Sequence, residues 1–132
     1  MKKARVTAAG VVPDFLTVLL PILFAVFVSI AVFIAFARTV PGAAVNIRAN
    51  LKMPMPASFI DFGTAGFKGL ADYYTGDAKA AFASVKDEAL QKEFDEAAGA
   101  ASKSMRELAI WLESGRKTQT QDFALGADRF SR

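Results

Sequence analysis

Five carboxylates crowd one short stretch, Asp87, Glu88, Glu93, Asp95 and Glu96. Two acids converging in a dry cleft would hold a divalent cation or divide acid–base work between them. Here they interleave with Lys86 and Lys92 and fall off the apolar stripe of a helix, so they read as a solvated face. The chain has no His and no Cys. That removes the commonest general base, the commonest zinc ligands, thiol nucleophiles and disulfides. The serines have no His partner and no Lys dyad. The "GTAG" at 63–66 is too short for a phosphate loop and joins no strand to a helix. The sequence therefore offers no catalytic residue, no cofactor-binding residue, no metal ligand and no evident small-molecule site.

Asp14 is the one acid in an unusual place. It stands directly before the apolar run "FLTVLL". Ion-driven stator subunits carry an acid at a membrane entrance, and prepilins carry a basic leader ending in Gly, here Gly10, ahead of an apolar helix. The plainer reading is an N-cap whose charge complements a helix dipole. No peptidoglycan-binding segment follows for a stator, and the acid is one place off for a prepilin, so the N-cap is expected.

The elements that would carry these groups are helical. Residues 15–37, FLTVLLPILFAVFVSIAVFIAFA, contain no charge. A stretch of about 20 apolar residues can cross a bilayer core as a helix. It has no polar stripe, so a surface helix of a soluble domain is excluded. Thr17 and Ser29 can bond back to helix carbonyls, and membrane helices tolerate a proline such as Pro21. Two other readings remain open. One is a cleaved signal, with Ala35 and Ala37 forming an A-x-A pattern, although the run exceeds the usual signal core. The other is a deeply buried soluble helix.

Three further helices follow in the pattern. One begins at Pro41 and reaches Lys52. "MPMP" at 53–56 then enforces an extended break. A second helix covers 57–74, with Phe59, Ile60, Phe67, Leu70 and Tyr74 near one side and Gly63, Gly66 and Gly69 either allowing close approach or weakening it. The third runs 78–114, capped by Asp77 and stopped by Gly115. Its stripe is Leu90, Phe94, Ala97, Ala101, Met105, Leu108 and Leu112, extended backward by Ala89, Val85 and Phe82. Glu88 with Lys92, and Lys103 with Glu107, pair on the wet face. Trp111 is placed at the seam's edge, Tyr73 and Tyr74 at a helix end, and a bend at Gly99. No stretch alternates as a strand does. The fold class is all-α, with one long apolar helix followed by a few antiparallel amphipathic helices. The chain divides into a basic segment 1–14, the apolar helix 15–37 and a helical region 38–132.

Net charge is only +3, with basic residues scattered among acids. Nucleic-acid binding, which needs clustered Lys and Arg, is not expected. Lys2, Lys3 and Arg5 precede the apolar run, and Arg38, Arg48 and Lys52 follow it. That balance slightly favours an N-terminus inside and residues 38–132 exported across an inner or cytoplasmic membrane.

A longer pattern spans residues 37–132. It runs from an Arg and a Pro through "RANL", the proline break, a Gly-Leu helix and a long Ala-rich helix ending in Trp-Leu, to "DFALGADRF". This resembles part of the domain-of-unknown-function family numbered 885, large helical proteins similar to gluzincin-type zinc metallopeptidases. The resemblance implies an all-helical scaffold and, for complete relatives, peptide-bond hydrolysis. The zinc site it implies would sit on an H-E-x-x-H helix, whose His ligands and water-activating Glu have no match in a chain without His.

Two readings of function follow. One is a non-catalytic, membrane-tethered helical fragment or truncated member of that metallopeptidase-like family. The other is a small single-pass membrane subunit of a larger complex. Both expect a membrane and a protein partner, or the remainder of a larger helical core. "QDFALGADRFSR" at 121–132, apolar at Phe123, Leu125 and Phe130, is expected to separate them by whether those residues are covered.

Overall fold

The computed structural model describes residues 14–120. The basic segment before Asp14 and the stretch 121–132 lie outside the described residues, and so does the test expected of Phe123, Leu125 and Phe130. Four α-helices and one 3-10 turn make up the described chain: α1 Phe15–Asn50, α2 Ala57–Thr75, α3 Asp77–Ala81, α4 Glu88–Ser114, and the turn Gly115–Thr118. No strand occurs among the described residues, only an isolated bridge between Pro56 and Thr120.

The helix expected to begin at Pro41 is not separate. α1 runs through both Pro21 and Pro41 without a break, about 54 Å of one helix. Each proline removes a single N–H from the ladder. Around Pro41 the loss is offset because Ala37, Val40 and Ala44 are buried against a neighbour on either side of it. Arg38 adds a clamp, its Nη2 donating to Glu93 at 2.9 Å. α1 stops where Leu51 turns extended, and the chain passes through a cis Met53–Pro54 bond into α2. The proline break is where the sequence puts it.

α2 ends at Gly76, whose N–H reaches the Asp72 carbonyl at 2.8 Å. The helix expected over 78–114 is divided. Asp77 is not its cap but the first residue of the short α3. The cap of the long helix is Asp87, whose Oδ1 accepts from Leu90 N at 3.0 Å. Between them Gln91 ties down the loop, its Nε2 donating to the carbonyls of Phe82 and Val85. Val85 is buried from this loop and Phe82 half-buried, while Ala89 faces solvent. The apolar spacing that looked helical is real burial, delivered by a loop. α4 passes through Gly99 as helix and stops at Gly115 as expected.

α4 is the central helix. Its buried set, Phe94, Ala97, Ala98, Ala101, Ser102, Met105, Leu108, Ala109 and Leu112, is wide and rich in Ala. Small side chains allow helices to approach on two sides at once. α2 packs antiparallel to it, tied by Arg106–Asp72 and Arg116–Asp61 ion pairs. α1 packs parallel to it: Phe33 stacks on Phe94 with centroids 5.2 Å apart, and Arg48 lies 5.4 Å over the Trp111 ring. The main core joins Ile30, Ile34, Val40, Tyr74, Phe94 and Leu108, and a second cluster joins Met55, Ile60 and Leu112. Phe67 and Trp111 touch both.

Candidate functional site

Three of the five carboxylates of the 87–96 stretch are used structurally, and Glu88 and Glu96 are exposed. Asp87 caps α4, Glu93 pairs with Arg38, and Asp95 pairs with Lys79 at 2.8 Å. Among the described residues no group of three or more acids is placed to hold a metal ion. The "GTAG" segment lies inside α2. Lys103 and Glu107 meet at 3.9 Å on the exposed face of α4.

One ion-pair cluster is tighter. Arg116 donates from Nε and Nη2 to the two oxygens of Glu113, at 2.6 and 3.0 Å, and also reaches Asp61. The Arg116 hydrogen bonds hold the Glu113 carboxyl below the usual carboxylate range, and Glu113 and Asp61 in turn raise the guanidinium. The Thr64 hydroxyl also helps lower Glu113, yet it is buried outside hydrogen-bond geometry and has no partner. Burial, then the neighbouring Tyr73, pushes the Tyr74 hydroxyl up. This arrangement staples α2 to the end of α4. Trp111 sits at the helix seam, as its place in the pattern suggested, with Arg48 covering its ring.

The glycine repeat in α2 divides by position. A side chain at Gly63 would strike Leu112, so this glycine sets the approach of α2 to α4. Gly66 and Gly69 face open space. The apolar residues of α2 divide as well. Ile60 and Tyr74 are buried and Phe67 half-buried, but Phe59 and Leu70 point outward with Tyr73 and Phe62, the last 80% exposed. The sequence pattern passed over Phe62 because it is one helical position from the expected face.

The larger unsatisfied surface is on α1. From Phe15 to Ala25 only Leu19 is even half-covered. Phe15 is 75% exposed and Phe24 72%, with Leu16, Val18, Leu20, Ile22 and Leu23 close behind. The exposure runs around the whole helix. Burial begins with Val26 and follows the stripe Ile30, Ile34, Ala37, Val40 and Ala44. The run expected to be free to residue 37 is therefore shared: its latter part belongs to the bundle. Where the two parts meet, Val28, Val32, Phe33, Phe36 and Phe82 line an apolar groove of about 450 Å³. The polar member of that groove, Ser29, spends its hydroxyl on the Ala25 carbonyl at 2.7 Å.

Asp14 occupies the N-cap position of α1, but its side chain makes no capping hydrogen bond. Only its backbone carbonyl caps, accepting from Thr17 N at 2.9 Å and Val18 N at 3.3 Å. The expected side-chain cap is absent.

No family model, no curated protein and no solved structure matches the chain.

Proposed function

We propose that this chain is a non-catalytic, membrane-tethered helical subunit. The observation that carries the reading is the all-round exposure of apolar side chains from Phe15 to Ala25 on a helix that is long and apolar enough to cross a membrane. A partner helix covers one stripe, whereas a lipid phase surrounds a helix on every side. Beyond the tether, α2 and α4 form a packed platform, and the outward row Phe59, Phe62, Leu70 and Tyr73 gives that platform an apolar face for a protein partner. We place the tether in an inner or cytoplasmic membrane with residues 38–132 on the exported side, on the basic residues Lys2, Lys3 and Arg5 ahead of it.

The resemblance of residues 37–132 to the helical, gluzincin-like family fits the same role. It supplies a helical scaffold, and a chain without His supplies no zinc ligands from the family's motif. Two assays test the reading. The chain expressed with its apolar helix stays in the membrane pellet through alkaline carbonate, and release into the supernatant contradicts the tether. Peptidase assays with added zinc read zero, and robust hydrolysis contradicts the non-catalytic role.

A further inference from the structure

We infer that residues 121–132 are the first occupant of the outward face of α2: Phe123, Leu125 and Phe130 dock on the row Phe59, Phe62, Leu70 and Tyr73, and a partner reaches the platform by displacing them. The inference rests on the platform reading above and adds what regulates that face. It does not use the tether.

The face presents apolar surface in one place. Phe59, Phe62 and Tyr73 leave roughly 350 Å² in water, at about 200 Å² for each aromatic residue. A contiguous patch of that size marks an interaction site. Between Phe62 and Tyr73 the same side of the helix carries Ala65, Gly66 and Gly69, and the two glycines open onto empty space. Large rings at both ends with small residues between them make a recess for bulky side chains.

The chain delivers such side chains to this place. After α4 the turn Gly115–Thr118 crosses to α2, where Arg116 pairs with Asp61, next to Phe62. Thr120 is held at the start of α2, its N–H donating to the Met55 carbonyl at 3.0 Å. Its bridge with Pro56 is parallel, so residue 121 leaves in the direction in which the chain enters α2. Measured from Pro56 along the axis, Phe59 lies at about 5 Å, Phe62 at about 9 Å, Gly66 at about 15 Å and Tyr73 at about 26 Å. Phe123 reaches about 5 Å from Thr120 if the segment is helical and about 10 Å if it is extended. Phe130 reaches about 15 Å or about 33 Å. In either conformation Phe123 meets Phe59 and Phe62, and the range of Phe130 takes in Gly66 to Tyr73.

The bare part of α1 is out of reach. Arg48 lies over Trp111, so Thr120 stands at the Asn50 end of α1, and Phe24 is about 39 Å from Asn50. A second copy or another protein competes for the face at a disadvantage. Only Gln121 and Asp122 separate Phe123 from Thr120, and so short a linker gives an effective concentration of millimolar order.

Gly66 gives the readout, because a side chain there meets nothing in the bundle. The chain, which has no Cys of its own, carries Gly66→Cys or Val45→Cys in detergent micelles and meets a water-soluble maleimide. Position 66 is expected to label about tenfold more slowly than in a chain that also carries Phe123→Ser, Leu125→Ser and Phe130→Ser, the ratio for a segment docked about nine-tenths of the time. Position 45 is expected to label alike in both backgrounds, as it does when the bundle stays folded. A nitroxide pair at Gly66→Cys and Ser131→Cys, which keeps all three apolar residues, is expected to give one distance of about 10–25 Å. A broad distribution overturns the docking. Fast labelling of position 66 in both backgrounds also overturns it and leaves the face open to a partner. Protection at 66 that disappears on dilution into excess micelles assigns the face to a second copy and overturns the docking. Protection that survives both dilution and the triple serine change overturns the platform reading itself, because the face is then buried within the bundle. Protection at 45 that the triple change relieves places the segment on α1 and overturns the docking on α2.

Discussion

The two parts of α1 are one helix in two surroundings, one bare of protein among the described residues and one packed. Residues 15–25 expose Phe, Leu, Ile and Val on every face, whereas residues 26–50 bury a stripe and leave Arg38, Asn46 and Arg48 outside it. The composition of the early part of the second half, IAVFIAFA at 30–37, matches that of the first. What differs is the neighbour: α4 covers Ile30 and Ile34, and nothing among the described residues covers Phe15 or Phe24. Hydropathy records how apolar a segment is. Only packing shows which part of it protein covers.

The largest effect expected is on the exposed part. Leu20→Arg together with Phe24→Arg costs about 3 kcal/mol per substitution on insertion scales. The double variant should leave the carbonate-resistant pellet while keeping the helical content of its packed half. Retention in the pellet would remove the contrast between the halves.

The reverse experiment strikes the packed part. Phe94 is among the largest fully buried side chains and stacks on Phe33. Phe94→Ala should destabilise the bundle by about 3–5 kcal/mol in thermal unfolding followed by circular dichroism in detergent. The variant should still pellet with membranes. Loss of both properties together would mean that the halves are not independent.

Much of this organisation is legible in the residues. The run without charges, the proline break, the Gly115 stop and the α4 stripe from Phe94 to Leu112 all follow from period and punctuation. Three features were not legible for physical reasons. The stripe on α1 is hidden at Ile30 and Ile34 because its surroundings are equally apolar. Pro41 reads as a helix start but sits inside a helix, because packing on both sides outweighs one lost hydrogen bond. Phe82 and Val85 keep helical spacing while lying in a loop, and the signal that divides them from α4 is Asp87, one acid among five in that stretch. Of the candidate site, the apolar run that opens α1 is legible, and the row Phe59, Phe62, Leu70 and Tyr73 only in part. Asp14 is legible as a cap, but the capping atom is its backbone carbonyl and not its side chain.

A smaller effect separates the two sides of α2. Gly63→Val should lower stability by about 1–3 kcal/mol, since it forces a side chain onto the buried Leu112. Gly66→Ala, in open space, should raise stability by up to about 1 kcal/mol through helix propensity alone. A stable Gly63→Val beside a destabilised Gly66→Ala in thermal melts would mean that α2 approaches α4 by a different face.

The smallest effect is in acid. Because its folded pKa is lowered, Glu113 adds stability above its unfolded pKa and loses it as pH falls through the folded one. Wild type should therefore lose slightly more of its melting temperature than Glu113→Gln on going from neutral pH into the carboxylate range. Parallel pH profiles would show that the Arg116 staple contributes nothing measurable, as many exposed ion pairs do.

The most direct test of the account uses single-cysteine chains labelled in intact membranes with a water-soluble maleimide. Phe24→Cys should resist labelling until detergent is added, and Val45→Cys, at a site 68% exposed on the same helix, should label once maleimide reaches its side of the membrane. Labelling of Phe24→Cys at the rate of Val45→Cys would contradict the claim that lipid surrounds the first part of α1.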